Sequence, residues 1–204
     1  MKTQHQHGFS IIEIAVTLAM LGVLMATAMP SFGIWMANAR IRSTAEGIHS
    51  GLQKARSEAV RRNTSVQFSF VTLTDPNVMD NSCALSATGG SWVVSVSSPA
   101  GKCGSAPSTT VSPMVVVANP LGSAGSDVSV AATQRDGTTA ATTVTFNALG
   151  QVSNSTAIGN ISIQHSTNSA NYRQLNLVVS TGGQVIVCDP TVTDTSDTRH
   201  CPAS

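Results

Sequence analysis

The sequence is short of charge. Asp, Glu, Lys and Arg together make up 10% of its 204 residues, against about a quarter in ordinary soluble proteins. Ser, Thr, Asn, Gly and Val take their place, and a polar but uncharged surface favours an extracellular or assembled protein over a cytosolic enzyme. The formal net charge of +1 excludes a global field that would attract nucleic acid or anionic lipid.

The sequence also lacks the common signatures of catalysis and cofactor binding. It contains no GxSxG motif, no P-loop and no GxGxxG motif. The five histidines do not stand at metal-ligand or catalytic-triad spacings; they are His5, His7, His49, His165 and His200. We therefore expect a protein that is not an enzyme and that holds no cofactor or metal.

The chain has few cysteines, and their spacing favours one disulfide pairing. The four cysteines are Cys83, Cys103, Cys188 and Cys201, and four allow three pairings. Separations of 20 and 13 residues favour Cys83–Cys103 and Cys188–Cys201. No CxxC is present and the histidines do not stand at zinc-ligand spacings, so we expect structural disulfides formed in an oxidising compartment.

Apolar residues are concentrated near the N-terminus, which reads MKTQHQHGFSIIEIAVTLAMLGVLMATAMP. As a helix, residues 9–29 would span about 30 Å, the thickness of a hydrocarbon core. A secretory signal with a cleavage site at residues 26–28 and a plain membrane anchor are two interpretations. Neither explains Glu13, since an ionisable group inside a membrane helix costs about 2.5–3.5 kcal/mol.

A third interpretation explains the carboxylate. The stretch GFSIIE after a short polar leader resembles the class III signal of type IV pilins and type II secretion pseudopilins. The resemblance implies that a prepilin peptidase cuts after Gly8 and N-methylates Phe9, so that Glu13 becomes the fifth mature residue. Cleavage would also remove Lys2, leaving ten basic against ten acidic side chains.

The resemblance gives Glu13 and Pro30 roles in assembly. The new amine on Phe9 would be a buried positive charge, and a carboxylate on the same or a neighbouring subunit can neutralise it. An unpaired buried charge is strongly unfavourable, so the pairing would set the axial register of an incoming subunit. Pro30 lacks an N–H and clashes with the preceding turn, so we expect a kink or loosened helix there.

Helical periodicity continues beyond Pro30. An apolar stripe recurs at three- and four-residue steps: Ile41, Ala45, Ile48, Leu52, Ala55 and Ala59. The opposite face, which we interpret as solvated or in contact with neighbouring subunits, carries six basic and two acidic residues: Arg40, Arg42, Glu46, Lys54, Arg56, Glu58, Arg61 and Arg62. Asn63 is the expected helix stop. The predicted segments are a leader (1–8), a transmembrane or assembly helix (9–36), an amphipathic helix (37–62) and a β-rich periplasmic head (63–204).

Beyond Asn63 the apolar pattern alternates, as in antiparallel strands. The alternating sets are Val66, Phe68 and Phe70; Trp92, Val94 and Val96; Val128 and Val130; Val144 and Phe146; Ile161 and Ile163; Leu175, Leu177 and Val179; and Val185 and Val187. Residues 181–183, Thr-Gly-Gly, predict a hairpin between the last two sets. Residues 97–127 read as a long loop region, in which residues 114–117 after Pro113 predict an edge strand.

Several stretches narrow the family. LQKARSEAVRRN (52–63), SWVV (91–94), TFNALGQV (145–152) and RQLNLVVSTGGQVIVCD (173–189) resemble the FimT/FimU–GspH group of minor pilins and pseudopilins, and the resemblance is weakest over residues 71–141. CDPTVTDTSDTRHC (188–201) looks like the disulfide-closed tail of FimU-type minor pilins. The implied fold is α+β and pilin-like, with a long N-terminal helix packed on an antiparallel β-sheet head.

The resemblance implies a minor pilin that primes assembly of a type IV pilus from an initiating or tip complex, supporting twitching and adhesion. Its expected partners are other minor pilins, the major pilin, prepilin peptidase, the assembly platform and inner-membrane lipid. The chain would sit in the bacterial inner membrane with its head in the periplasm and enter the filament on assembly. The alternative is a type II secretion pseudopilin, because both classes share this fold and N-terminal chemistry.

A further alternative is DNA capture by a FimT-like pilin. Affinity for DNA requires Lys and Arg side chains that meet phosphates. In residues 188–204, Arg199 is the one basic side chain, against Asp189, Asp194 and Asp197. The head from residue 63 onward holds four basic and seven acidic residues. We therefore do not expect DNA as a partner.

Overall fold

The computed structural model describes residues 10–122, 127–167 and 170–202, with the side chains of residues 27–31 outside that description. The chain divides into two compact units, Met1–Met36 and Ala37–Ser204. One helix, α1 (Ile11–Arg62), contributes residues to both units. The predicted leader and the residues Gly8 and Phe9 lie outside the described part of the chain.

In the first unit, α1 exposes apolar side chains on every side. The large exposed ones are Ile11, Ile12, Ile14, Val16, Leu18, Met20, Leu21, Val23, Leu24, Met25, Phe32, Trp35 and Met36. Among the residues that the structure describes, none of the helical stretches has both the length and the apolarity needed to cross a membrane.

In the second unit, α1 buries one stripe, as predicted. All six apolar stripe residues from Ile41 to Ala59 are at most 1% exposed, and three of them are alanines, whose small side chains let strands pack close. The helix ends where the sequence predicts, because Asn63 adopts a left-handed conformation with φ of 49°. The amide of Thr64 donates to the carbonyl of Ala59 and that of Asn63 to Val60, which satisfies the last free carbonyls in a Schellman motif.

The strands that follow are, in chain order, β1 (Val66–Thr72), β2 (Ala84–Leu85), β3 (Ser91–Ser95), β4 (Val115–Asn119), β5 (Val128–Thr133), β6 (Thr143–Phe146), β7 (Asn160–His165), β8 (Leu175–Val179) and β9 (Val185–Cys188). They form two antiparallel sheets. The first has the order β2-β1-β3-β4, with β6 also paired to β1, and the second has the order β5-β7-β8-β9.

The main core lies between the buried stripe of α1 and the inner faces of both sheets. Phe68 packs edge-on to Phe70 and stacks on Trp92, with ring centroids 5.0 and 5.4 Å apart. Gly51 gives these rings their room, because a Cβ there would come within 2.9 Å of the Trp92 and Phe68 rings. A smaller cluster behind the first sheet consists of Val71, Cys83, Val93, Cys103 and Val115.

The structure confirms the α+β pilin-like fold and the seven predicted strand regions. It differs from the sequence prediction in a few details. The head holds two sheets, because the strands pair in two separate ladders. The two-residue strand β2 has no alternating pattern and was not predicted. Val187 was predicted to face the core but is exposed, since β9 is the last strand of its sheet. The predicted edge strand in region 97–127 is confirmed as β4, at the end of the first sheet.

Candidate assembly surfaces

The N-terminal unit places Glu13 in the first turn of an exposed apolar helix. Its backbone amide donates to the carbonyl of Ser10 over 3.0 Å, and its side chain is exposed. A carboxylate is favourable here because it faces the positive end of the helix dipole. α1 is continuous through Pro30, and the kink at that residue stays a prediction.

An apolar helix of this kind has to be covered by something other than water. Residues 10–36 carry Glu13 as their one charged side chain. Ile11 is 88% exposed, and the ring of Trp35 lies 5.7 Å from that of Phe32, both outward. A helix that is apolar all round belongs in a core, against other helices or in lipid. This surface is therefore a site of assembly or of membrane contact.

The second surface lies at the C-terminal end of α1 and is organised by Glu58. Glu58 belongs to the face that we interpreted as solvated or in contact with neighbouring subunits, but it is buried within this chain. Its carboxylate pairs with Lys54 at 3.2 Å, Arg61 at 2.6 Å and Arg62 at 2.8 Å. The hydrogen bond from Arg61, with those from Arg62 and Lys54, outweighs the effect of burial and lowers the pKa of Glu58 to about 2.

Arg56 joins α1 to two turns of the head. Its Nε donates to the carbonyl of Gly150 over 3.1 Å and its Nη2 to that of Gly182 over 3.4 Å. The two turns also touch, because a Cβ on Gly183 would lie 2.0 Å from the carbonyl oxygen of Gly150. Gly183 has a φ of 77°, which L side chains rarely adopt. The stretches TFNALGQV and STGGQV are distant in sequence, but their turns contact each other, and Arg56 donates hydrogen bonds to both.

The structure contains two disulfides, Cys83–Cys103 and Cys188–Cys201. The first lies in the smaller apolar cluster of the head. The second closes the C-terminal tail, in which the amide of Asp189 also donates to the carbonyl of Arg199 over 2.8 Å. Arg199 pairs with Asp197 at 2.6 Å, so the tail offers no concentration of positive charge.

These features define a class: a pilin-like subunit, with an exposed apolar N-terminal helix and a disulfide-bonded β head. A family model described as "Type II transport protein GspH" matches residues 44–183, and one described as "Prokaryotic N-terminal methylation motif" matches residues 3–29. The chain belongs to the GspH family, a family of type IV minor pilins and pseudopilins. These are structural proteins, and the N-terminal motif is that of membrane-anchored pilin-like proteins.

Among solved structures, the chain is similar to the type IV minor pilin FimU of Pseudomonas aeruginosa, which is known in two crystal forms. The sequence identity is 16% in both, with TM-scores of 0.44 and 0.45. Each alignment covers 76% of this chain, and 97% and 92% of the respective FimU chains. No curated protein sequence matches the chain significantly.

Sequence reasoning missed two features of the second surface. It placed Glu58 on a face that is solvated or in contact with neighbouring subunits, although the i,i+3 and i,i+4 spacing to three cations is a signal for a shared ion pair. It used Gly150 and Gly182–Gly183 to recognise a family and a hairpin without predicting their mutual contact. Nothing in the local pattern brings residues 150 and 183 together, because that contact depends on how two sheets meet the helix.

Proposed function

We propose that this chain is a minor pilin of a type IV pilus, anchored in the bacterial inner membrane by its N-terminal helix, with its head in the periplasm. The observation that carries the proposal is the outward-facing apolar helix with one acid, Glu13, in its first turn. It stands in the same chain as a GspH-family head. Such a helix is favourable in lipid or packed against the same helix of other subunits.

The proposed mechanism begins with processing. Prepilin peptidase removes residues 1–8 and methylates the amine of Phe9, in line with the matched methylation motif. In the apolar interior of a filament, that amine is favourable only beside a carboxylate. Glu13 supplies one, on the same or on an adjacent subunit, and the pair fixes the axial position at which a subunit leaves the membrane and joins.

The partners in this proposal are other minor pilins and the major pilin, with the assembly platform at the base. As a member of an initiating or tip complex, the chain would prime polymerisation of the major subunit and so support twitching and adhesion. The disulfide-closed tail from Cys188 to Cys201 favours this role through its resemblance to FimU-type tails.

The second candidate is a minor pseudopilin of a type II secretion system, which the description of the matched family model favours. Deleting the gene and counting surface pili by electron microscopy separates the two. A minor pilin predicts at least a tenfold loss of pili with normal export of secreted enzymes. Normal pili with a loss of export would assign the chain to secretion instead.

DNA capture is disfavoured by the charges of the head. Arg199 is held by Asp197 in the tail. On α1, Arg40 is paired with Asp127 and Arg42 with Glu46. A gel-shift titration of the full chain in detergent at about 50 mM salt should show no tight, salt-sensitive binding. Such binding would instead support DNA capture as a function of this chain.

A further inference from the structure

The head contains a small crevice between α1 and the adjoining ends of β3 and β4. Its volume is about 160 Å³, and the side chains and glycines that shape it include Thr44, Gly47, Ile48, Trp92, Asn119 and Leu121. All of them belong to the second unit of the chain. Pockets for drug-sized ligands measure about 300–1,000 Å³, so this crevice fits one substituent of a larger molecule.

The walls of the crevice are fixed by the sheet and opened by a glycine. Trp92 and Asn119 are opposite residues in the ladder between β3 and β4, so their side chains point to the same face, toward α1. On the helix, a Cβ at Gly47 would lie 3.8 Å from Nδ2 of Asn119. Just past β4, the amide of Leu121 donates to Oγ of Ser91 over 3.0 Å. A larger side chain at position 47 would therefore fill the space.

Two buried polar groups at the crevice have no partner within the described part of the chain. Thr44 is 8% exposed and Trp92 is 6% exposed, and neither the Thr44 hydroxyl nor the Trp92 indole N–H is hydrogen-bonded to a described residue. Cζ3 and Cη2 of Trp92 lie against Gly51, so the N–H edge of the indole points away from that glycine. Buried polar groups are almost always hydrogen-bonded. The missing partner must therefore enter the crevice.

The partner has to be neutral. None of the described residues that line the crevice carries a charge. The nearest charged side chains on the same stretch of α1, Arg42 and Glu46, pair with each other at 2.9 Å. A charged group held in the crevice would have no counter-charge, and burying such a group is strongly unfavourable. Acidic and basic ligands are therefore excluded.

The hydrogen-bonding groups define the chemistry further. The Trp92 indole N–H can only donate, whereas the Thr44 hydroxyl and the Asn119 carboxamide can donate and accept. Ile48 and Leu121 add apolar surface. The complement is a neutral group that combines a carbonyl oxygen, an N–H and a methyl. An acetamido group has these three parts.

We propose that the crevice between Thr44 and Trp92 binds the acetamido group of an N-acetylated amino sugar. The indole N–H donates to the acetamido carbonyl, the Thr44 hydroxyl accepts from its N–H, and the methyl packs against Ile48. Asn119, at the exposed rim, meets hydroxyls of the sugar ring. The source is the cell-wall glycan, which consists of such sugars. The proposal rests on the proposed function only in placing the head in the periplasm.

The first experiment titrates the full chain with the tetramer of N-acetylglucosamine in a sugar-free detergent, lauryldimethylamine oxide. Trp35→Phe leaves Trp92 as the one tryptophan, so its fluorescence reports on the crevice. We expect a saturable change with its midpoint at about 1 mM, as suits one small buried group. The tetramer of glucose lacks the acetamido group and should bind about tenfold more weakly or not at all. No response to the first tetramer, or equal responses to both, would overturn the proposal.

Substitutions locate the site. Thr44→Val keeps the volume and removes the hydroxyl, and should weaken binding about tenfold, whereas Thr44→Ser should stay within about threefold. Gly47→Leu places a strong helix former in the crevice and should abolish binding. Thr74→Val, on an exposed loop, is the matched control and should bind normally. Thermal melting identifies any variant that fails to fold, and undiminished binding in a folded Gly47→Leu chain would overturn the site.

A second experiment tests the cell wall as the source. The full chain in the same detergent should sediment with purified cell-wall sacculi, and the N-acetylglucosamine tetramer should release it, whereas the glucose tetramer should not. No sedimentation, or sedimentation that persists in Gly47→Leu, would overturn the cell wall as the ligand of this crevice. Failure of these sugar tests is distinguishable from failure of the proposed function, which is measured by counting pili in the gene deletion.

Discussion

The two parts of α1 differ in how their apolar side chains are buried. Between residues 11 and 36 the helix is apolar on every side and exposes its large side chains. Between residues 37 and 62 it is amphipathic, and the stripe from Ile41 to Ala59 is sealed in the core. The first part depends on other molecules for its burial, whereas the second is buried by its own head. The surroundings of two acidic side chains differ as well: Glu13 is exposed in the first part, whereas Glu58 is surrounded by cations in the second.

The comparison predicts that removing an acid from the first part affects assembly and leaves folding alone. Glu13→Val should reduce pili by about 100-fold or more, because the amine of Phe9 then has no partner in an apolar interior. Leader cleavage should remain largely intact, since the bond between Gly8 and Phe9 is unchanged. Electron microscopy and the mass of the mature chain measure the two effects.

Glu46→Val is the control for that variant. Glu46 is an exposed acid on the second part of the helix, where it pairs with the exposed Arg42. Surface pairs of this kind contribute about 0–1 kcal/mol, so pili and melting temperature should be close to normal. Normal piliation in Glu13→Val, or a comparable loss in Glu46→Val, would remove the distinction between the two acids.

Processing is the premise of that prediction and can be measured directly. The mature chain purified from membranes should begin with N-methylphenylalanine at Phe9. A start at Met29 instead, after an ordinary signal peptidase cut at Ala28, would eliminate the assembly helix and with it the pilin role. N-terminal sequencing with an intact mass distinguishes the two outcomes.

Two glycine substitutions, one in the head and one in the N-terminal part, test the same contrast. Gly183→Ala should destabilise the head by about 3–5 kcal/mol, because it combines a φ of 77° with a Cβ that would lie 2.0 Å from the Gly150 carbonyl oxygen. Gly22→Ala meets nothing within 4 Å and should favour its helix by about 0.5–1 kcal/mol. Thermal melting of the full chain in detergent checks both. Equal melting temperatures for the two variants would contradict the tight contact between the turns.

Glu58 should make the stability of the head depend on pH. Its pKa falls from 4.5 unfolded to about 2 folded, so its contribution is present above pH 4.5 and is lost as pH falls toward 2. Glu58→Gln should cost about 3 kcal/mol at pH 7, since it removes the partner of three cations. The Tm difference from the natural chain should shrink below pH 4. A difference that is constant from pH 2 to pH 7 would mean that the ion pairs do not stabilise the fold.

Local pattern was enough to predict whatever depends on neighbours in sequence. The buried stripe of α1, its end at Asn63 and the Thr181–Gly183 hairpin follow from periodicity and turn chemistry. Long-range features were not accessible in this way. The division into two sheets, the contact of Gly150 with Gly183 and the burial of Glu58 all depend on which distant segments meet the helix. The Glu58 carboxylate is covered together with one of its partners, Arg62, whose side chain is 16% exposed.

The C-terminal tail gives the last test of the comparison. Cys201→Ser opens a loop of 13 residues, for which chain entropy predicts a loss of about 2–4 kcal/mol. The tail is part of the head, so melting should fall while leader cleavage stays normal. Cys188→Ser should give the same loss, because the two residues form one bond. Unchanged melting in either variant would show that the tail contributes nothing to the head's stability. A cleavage defect would show that the two parts of the molecule are less independent than their opposite surfaces indicate.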